Sequence, residues 1–439
     1  MQLSKCLLGL GAALLLGSVP LTAQKISFTE YNLDNGLHVI LHQDKSAPVV
    51  VVSVMYHVGS KNEDTARTGF AHFFEHLLFE GTENIKRGEF MKIVSDNGGE
   101  NNANTTQDRT FYHEEFPSNE LQLGLWLESE RMMHPVINEI GVRTQNEVVK
   151  EEKRQRIDNQ PYGNFAYEVF RRLFTNHPYH WLPIGSMAHL DSAKLSEFIA
   201  FNKKYYVPNN AVLSIAGDIN IDSTKKLVND YFAPIPKGAP VVYTKIEEAP
   251  ITHEIIDTAY DANIQIPAIF AAYRIPGMNT RDSKVLSMLS SVLSGGASSR
   301  LYKKMVDDKK DALEVAAFNY GLEDYGAYIT LALPNANAPL DTLLHDIDEE
   351  VDKLQTTLIS EEDYQKLQNQ FENNYVDANT RMMGVAENLA EGYTFYKNTN
   401  EINQEPDEIK SITREEIRDA AKKYLNKNQR VVLYYLPAK

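Results

Sequence analysis

The sequence predicts an α+β architecture of two similar domains in tandem. Three observations predict it. The chain has 439 residues, beyond the length at which a single hydrophobic core usually keeps growing. Strand-like and helix-like segments alternate through both halves. A segment of the first half also recurs in the second. Residues 51–56 lead through a polar loop into a helix ending near Gly81, and residues 268–273 lead through Pro276-Gly277 into a helix ending at Gly295-Gly296. Superposing the copies sets Leu286, Leu289 and Ser290 opposite His72, Glu75 and His76.

Each element has its own signal. Residues 26–42 read as a hairpin turning at Asp34-Asn35-Gly36, because Asn-Gly supplies the positive φ of a tight turn. Residues 49–57 are a β-branched run, hence a buried strand. Residues 68–81 show helical apolar spacing and stop on a glycine. A short helix over 90–95 and a Gly98-Gly99 turn precede a Thr-, Phe- and Tyr-rich segment, 103–116, that reads as one strand. Helices are expected over 121–134 and 142–158, and a strand over 212–215 closed by Gly217-Asp218. Pro234, Pro236, Pro240 and Pro250 then cluster, so 233–250 reads as a linker between a first domain, 24–232, and a second, 251–439.

The N-terminus carries Lys5, an apolar run over 6–16 and a small residue, Ala23, before Gln24. This pattern predicts a signal peptide over 1–23 and a periplasmic or secreted protein with no membrane span after cleavage. Cys6 is the only cysteine, so cleavage would remove both disulfides and thiolate metal sites from consideration. With 60 acidic against 44 basic side chains and a formal charge of −16, the surface is wrong for phosphate backbones, and nucleic acid is excluded as a partner.

The chemistry concentrates in Gly69-Phe70-Ala71-His72-Phe73-Phe74-Glu75-His76-Leu77. Helical positions three and four apart share a face, so His72, Glu75 and His76 line one side while Phe73, Phe74 and Leu77 fill a core. Two imidazoles at this spacing can hold one zinc ion, and a carboxylate beside them can act as general base. A third ligand is needed. The helix over 142–158 offers Glu147, Glu151 and Glu152, and local pattern does not choose among them. Of the other histidines, His57, His113, His134, His177 and His180 read as structural or surface groups.

The His72–His76 motif, Gly98-Gly99-Glu100-Asn101-Asn102-Ala103-Asn104-Thr105, the acidic helix after Glu147, Tyr206-Val207-Pro208-Asn209-Asn210 with Gly217-Asp218, and Ser298-Ser299-Arg300-Leu301 together resemble the pitrilysin-like (insulinase and mitochondrial-processing) metallopeptidases. The resemblance spans nearly the whole mature chain. It implies one Zn²⁺ per chain held by His72, His76 and Glu152, with Glu75 as the base that activates water. It implies further that Asn102 and Ala103 lie on an edge strand that a peptide substrate joins by backbone pairing. The implied activity is hydrolysis of internal bonds in peptides or extended segments. The rival readings are a non-catalytic structural or assembly subunit, which the family also includes, and a zinc-binding module without turnover.

Two positions depart from the pattern. Family members carry a second Glu seven residues before the ligand Glu, where this chain has Gln145. Active members also place an Arg and, seven residues later, a Tyr in the second half, and 306–314 contains neither. These absences predict a hetero-oligomer in which a second pitrilysin-like subunit supplies the Arg and Tyr. Tyr302, Lys309 and Tyr320 are the candidates for an internal replacement.

Overall fold

The computed structural model describes residues 25–438; the expected signal peptide, 1–23, lies outside the described residues. Strands β1 (Thr29–Asn32), β2 (His38–Gln43), β3 (Val49–Tyr56), β4 (Glu100–Thr105), β5 (Thr110–Pro117) and β6 (Ala211–Gly217) form a six-stranded sheet in the order β1-β2-β6-β3-β5-β4. Strands β7 (Ile255–Asp261), β8 (Ala268–Pro276), β9 (Ala312–Gly321), β10 (Tyr325–Pro334) and β11 (Arg430–Pro437) form a second, in the order β7-β11-β8-β10-β9. In each sheet one parallel pair, β2 with β6 or β7 with β11, is followed by antiparallel neighbours only. The second sheet thus repeats the strand order and directions of the first without β1, and the two tandem α+β domains are copies of one plan.

Helices α1 (Phe70–Leu77), α2 (Phe90–Asp96), α3 (Leu121–Met133) and α4 (Glu139–Lys153) belong to the first half. On one face of its sheet Val50, Val52 and Val54 pack with Phe73, Phe74 and Leu125. On the other face Val51, Met55 and Phe111 meet Val385, Leu389 and Ala390 from helix Met382–Tyr396 of the second half. The second sheet is covered in return: Phe270, Ile329 and Leu433 pack against Val169, Phe170 and Leu173 from helix Phe165–Leu173 of the first half. Each half therefore lends a helix to the other's sheet. Burial of both faces explains why 49–56 is apolar but for Ser53, whose hydroxyl donates to Ser214 O (2.8 Å), rather than alternating.

Residues 233–254 contain no helix or strand, yet they are pinned. Gly238 N–H donates to Asn209 Oδ1 (2.7 Å) and Tyr243 OH to Asn210 Oδ1 (2.6 Å). The seam between halves also carries charge: Lys61 Nζ lies 2.9 Å from Asp108 Oδ1 and pairs with Glu323, whose carboxylate is 2.7 Å from His57 Nε2.

The segment expected as one strand over 103–116 is two, β4 and β5, joined by a turn at 106–109. Thr106 explains the break: its N–H donates to Arg109 O (2.8 Å), and its Oγ1 accepts from Asp108 N (3.2 Å) and Arg109 N (3.1 Å), a side-chain turn that competes with strand extension. The helix expected over 68–81 is shorter, ending at Leu77, and Gly81 at φ +140° reverses the chain. The helix expected over 142–158 is α4, which starts earlier, at Glu139, because Asn138 Oδ1 caps it through Gly141 N (2.9 Å).

Candidate metal centre

α1 is built to present one polar stripe. Phe70, Phe73, Phe74 and Leu77 are buried in the first core, with Phe70 stacked on Phe198 at 4.5 Å between centroids. No side chain of its own caps α1. Glu63 does so from outside, accepting from Gly69 N and Ala71 N at 2.8 Å each and from Trp181 Nε1 at 3.1 Å. Burial pushes Glu63 up to about 8 against these three donors. Tyr112 OH donates to Phe74 O (2.8 Å) and fixes the helix against β5. Beneath it, Arg131 is fully buried with Glu114 (3.0 Å) and Glu128, its guanidinium 4.5 Å from the rings of Phe79, Phe90 and Tyr112. α4 approaches closely because residue 141 is glycine: a Cβ there would meet Leu77 Cδ1 at 3.3 Å.

That approach delivers Glu152. Its Oε2 lies 3.0 Å from His76 Nε2 and 3.5 Å from His72 Nε2. Four-coordinate bonds of about 2.0–2.1 Å require ligand atoms about 3.3 Å apart, so these separations fit a metal ion between the three groups. Glu152 Oε2 has no hydrogen-bond partner despite this proximity, and neither has His72 Nδ1. His72 Nε2, His76 Nε2 and Glu152 Oε2 therefore face one shared space. Burial pushes the His72 imidazole down to about 4, with His76 as a further cause, which keeps it in the neutral form that a metal requires. Glu152 is held below the ordinary carboxylate range, first by its contact with His76. Its other oxygen, Oε1, is 3.0 Å from Arg156 Nη1.

Glu151 and Glu147, the alternatives, are exposed and paired with Arg154 (2.6 Å) and Lys150 (3.1 Å). One step along a helix is about 100° of rotation, and only Glu152 turns inward.

Glu75 has ligand atoms within 4.8 Å of those of His72 and His76, so proximity alone would admit it as a ligand. Its carboxylate is instead bonded by Thr105 Oγ1 at 2.6 Å, while Glu152 approaches both imidazoles more closely. Burial holds Glu75 above the usual carboxylate range, with the Thr105 hydroxyl opposing, a direction that favours proton acceptance.

Asn102 and Ala103 lie in β4, the edge of the sheet, opposite His113 and Tyr112. Ala103 N–H donates to Asn102 Oδ1 (2.9 Å). Gln145 Nε2 donates to Glu80 Oε1 (2.5 Å), while its Oε1 is buried without a partner.

In the second half Leu286 and Leu289 are core residues, and among the described residues the potential metal ligands gather in the first half, around His72, Glu75, His76 and Glu152. His57, His134 and His177 face carboxylates of Glu323, Glu83 and Asp324. Of the candidates for an internal replacement, Lys309 is paired with buried Asp346 (2.5 Å), and Tyr320 OH faces Gln107 Oε1 (3.4 Å). Sequence reasoning missed Glu63, Thr105, Tyr112 and Arg156. A charged Arg109 inside a Thr/Phe/Tyr-rich run was the available signal that the strand bends there.

Residues 38–177 match the family model for insulinase (peptidase family M16), and residues 192–371 match that for the M16 inactive domain. The chain is 31% identical over 371 residues to the zinc protease PqqE of Helicobacter pylori, covering 83% of each. The crystal structure of a protease from Helicobacter pylori superposes with a TM-score of 0.89 at 27% identity, over 94% of this chain and 100% of that one. That of an M16 inactive domain from Pseudomonas fluorescens gives 0.83 at 16% identity, over 94% and 98%. Relatives named as zinc proteases and the shared fold support a peptidase-type function. By sequence along most of its length and by both of its domains, the chain belongs to the pitrilysin-like peptidase family M16.

Proposed function

We propose that this chain is a zinc-dependent endopeptidase acting on peptides or extended segments. The observation that carries the reading is the convergence of His72, His76 and Glu152 on one point, with the carboxylate of Glu75 beside them. His72, His76 and Glu152 would hold a zinc ion there, and it would supply Lewis acidity to the reacting water and carbonyl. Glu75 takes the proton of the attacking water and can return it to the departing amine. The free edge of β4 at Asn102 and Ala103 aligns the substrate backbone, which gives affinity with little sequence preference.

The second half contributes no Arg or Tyr over 306–314. A second pitrilysin-like subunit carrying that pair completes the site, because donors aimed at the developing oxyanion are often the largest electrostatic contribution. Internally quenched peptides incubated with the purified chain, alone and with such a subunit, test this. The chain alone should cleave slowly, and the partner should raise the rate about 10²–10³-fold. Full activity of the single chain, unchanged by the partner, removes the hetero-oligomer. No cleavage in any combination removes the peptidase reading.

Export to the periplasm or beyond is part of the proposal. No helix among the described residues is long and apolar enough to cross a membrane. The native protein's intact mass should correspond to a chain starting at or near Gln24; a mass that includes 1–23 contradicts it.

A further inference from the structure

We propose that Thr105 is the positioning residue for the Glu75 carboxylate, and that the second half of the chain holds Thr105 in place through Arg109. The inference rests on the reading of Glu75 as general base. Thr105 is the last residue of β4, and its Oγ1 donates to Glu75 Oε2 at 2.6 Å. Among the described residues no other side chain or backbone group bonds that carboxylate. A glutamate on a helix has three side-chain torsions to fix, and a base displaced by about an ångström loses much of its use.

β4 has a neighbour on one side only, so its end depends on the turn that follows. Arg109, 7% exposed, organises that turn. Its guanidinium donates to Asn104 Oδ1 on β4, and to Glu387 and Glu391 (3.1 Å to the latter) on helix Met382–Tyr396. That helix also fills the back of the first sheet. The half without metal ligands thereby grips the hairpin from behind, at the residue beside Thr105, while the Thr105 hydroxyl reaches through to the base in front. Of the three side chains on Arg109, two come from the second half. The link runs from Glu387 and Glu391 through Arg109 and Asn104 to Thr105 and Glu75.

The experiment uses the zinc-loaded chain, alone and with the proposed partner subunit, and three variants: Thr105→Val, which keeps the shape and loses the donor; Thr105→Ser, which restores the donor; and Glu387→Gln/Glu391→Gln, which leaves Thr105 untouched. Zinc content, kcat and KM on a quenched peptide, and a crystal structure of each are measured. Thr105→Val should retain zinc and KM, lose at least about tenfold in kcat, and show the Glu75 carboxylate out of its wild-type place. Thr105→Ser should recover most of both. The double variant should lower kcat in the same sense with zinc retained. Wild-type kcat for Thr105→Val, or an unmoved Glu75 in its crystals, overturns the role of Thr105. Wild-type kcat for the double variant overturns the role of the second half. If the loaded wild type cleaves nothing, the peptidase reading fails instead, and the crystals alone decide: Glu75 displaced in the Val variant and not in the Ser variant sustains the inference, and Glu75 unmoved in both overturns it.

Discussion

Glu75→Gln is expected to bind zinc as the native chain does and to lose about 10²–10⁴-fold of its peptide hydrolysis. The ligand atoms of His72, His76 and Glu152 are untouched by the change, so the metal site survives. Glutamine matches glutamate in shape and can still accept the Thr105 hydroxyl hydrogen, so the local packing around α1 survives as well. What disappears is the group that can take a proton. Burial already holds this carboxylate above its ordinary range, which brings its basicity closer to that needed at neutral pH. Steady-state kinetics on a quenched peptide, with zinc measured in the same sample, check the prediction. Native turnover with native zinc would remove Glu75 from the mechanism.

Glu152→Gln is expected to lose zinc on dialysis, while Glu151→Gln keeps it. Loss of a supporting group outside the ligand set typically costs 10–100-fold in metal affinity, and loss of a ligand carboxylate should cost at least that. An amide oxygen is a poorer ligand for zinc than a carboxylate, and Glu152 Oε2 lies 3.5 Å from His72 Nε2 and 3.0 Å from His76 Nε2. Glu151 is exposed, turned about 100° away from Glu152 around the helix, and bound to Arg154, so its amide should be silent. Metal analysis of the two dialysed variants decides, and the reverse pattern would mean that the other register faces the histidines.

The contrast between those two residues shows what the sequence could carry. The polar stripe of α1 was legible because its periodicity is local: His72, Glu75 and His76 fall on one face whatever surrounds the helix. The choice among Glu147, Glu151 and Glu152 was not legible locally, since all three sit on one acidic helix; only resemblance singled out Glu152, and the geometry turns it inward. The duplicated plan was legible from one recurring strand–helix segment, and the matching strand orders of the two sheets extend it to whole domains. The exchange of helices was not, because Leu389 and Phe170 look like ordinary core residues of their own halves. The break in 103–116 was missed for a similar reason. Thr106 reads as a strand former by composition, and its turn depends on a hydroxyl that faces its own backbone. Glu63 and Thr105 act across six or more residues of chain on groups they do not adjoin, which no periodicity reveals.

The central claim is that one zinc ion at His72, His76 and Glu152 supports peptide hydrolysis. The most direct test strips the purified chain of metal with a chelator and titrates zinc back while following cleavage of a quenched peptide, with and without the proposed partner subunit. The account predicts no cleavage by the stripped protein, recovery in proportion to added zinc, and a plateau at one zinc per chain. Cleavage that persists without metal, or zinc binding at that stoichiometry with no cleavage at any concentration, would contradict it.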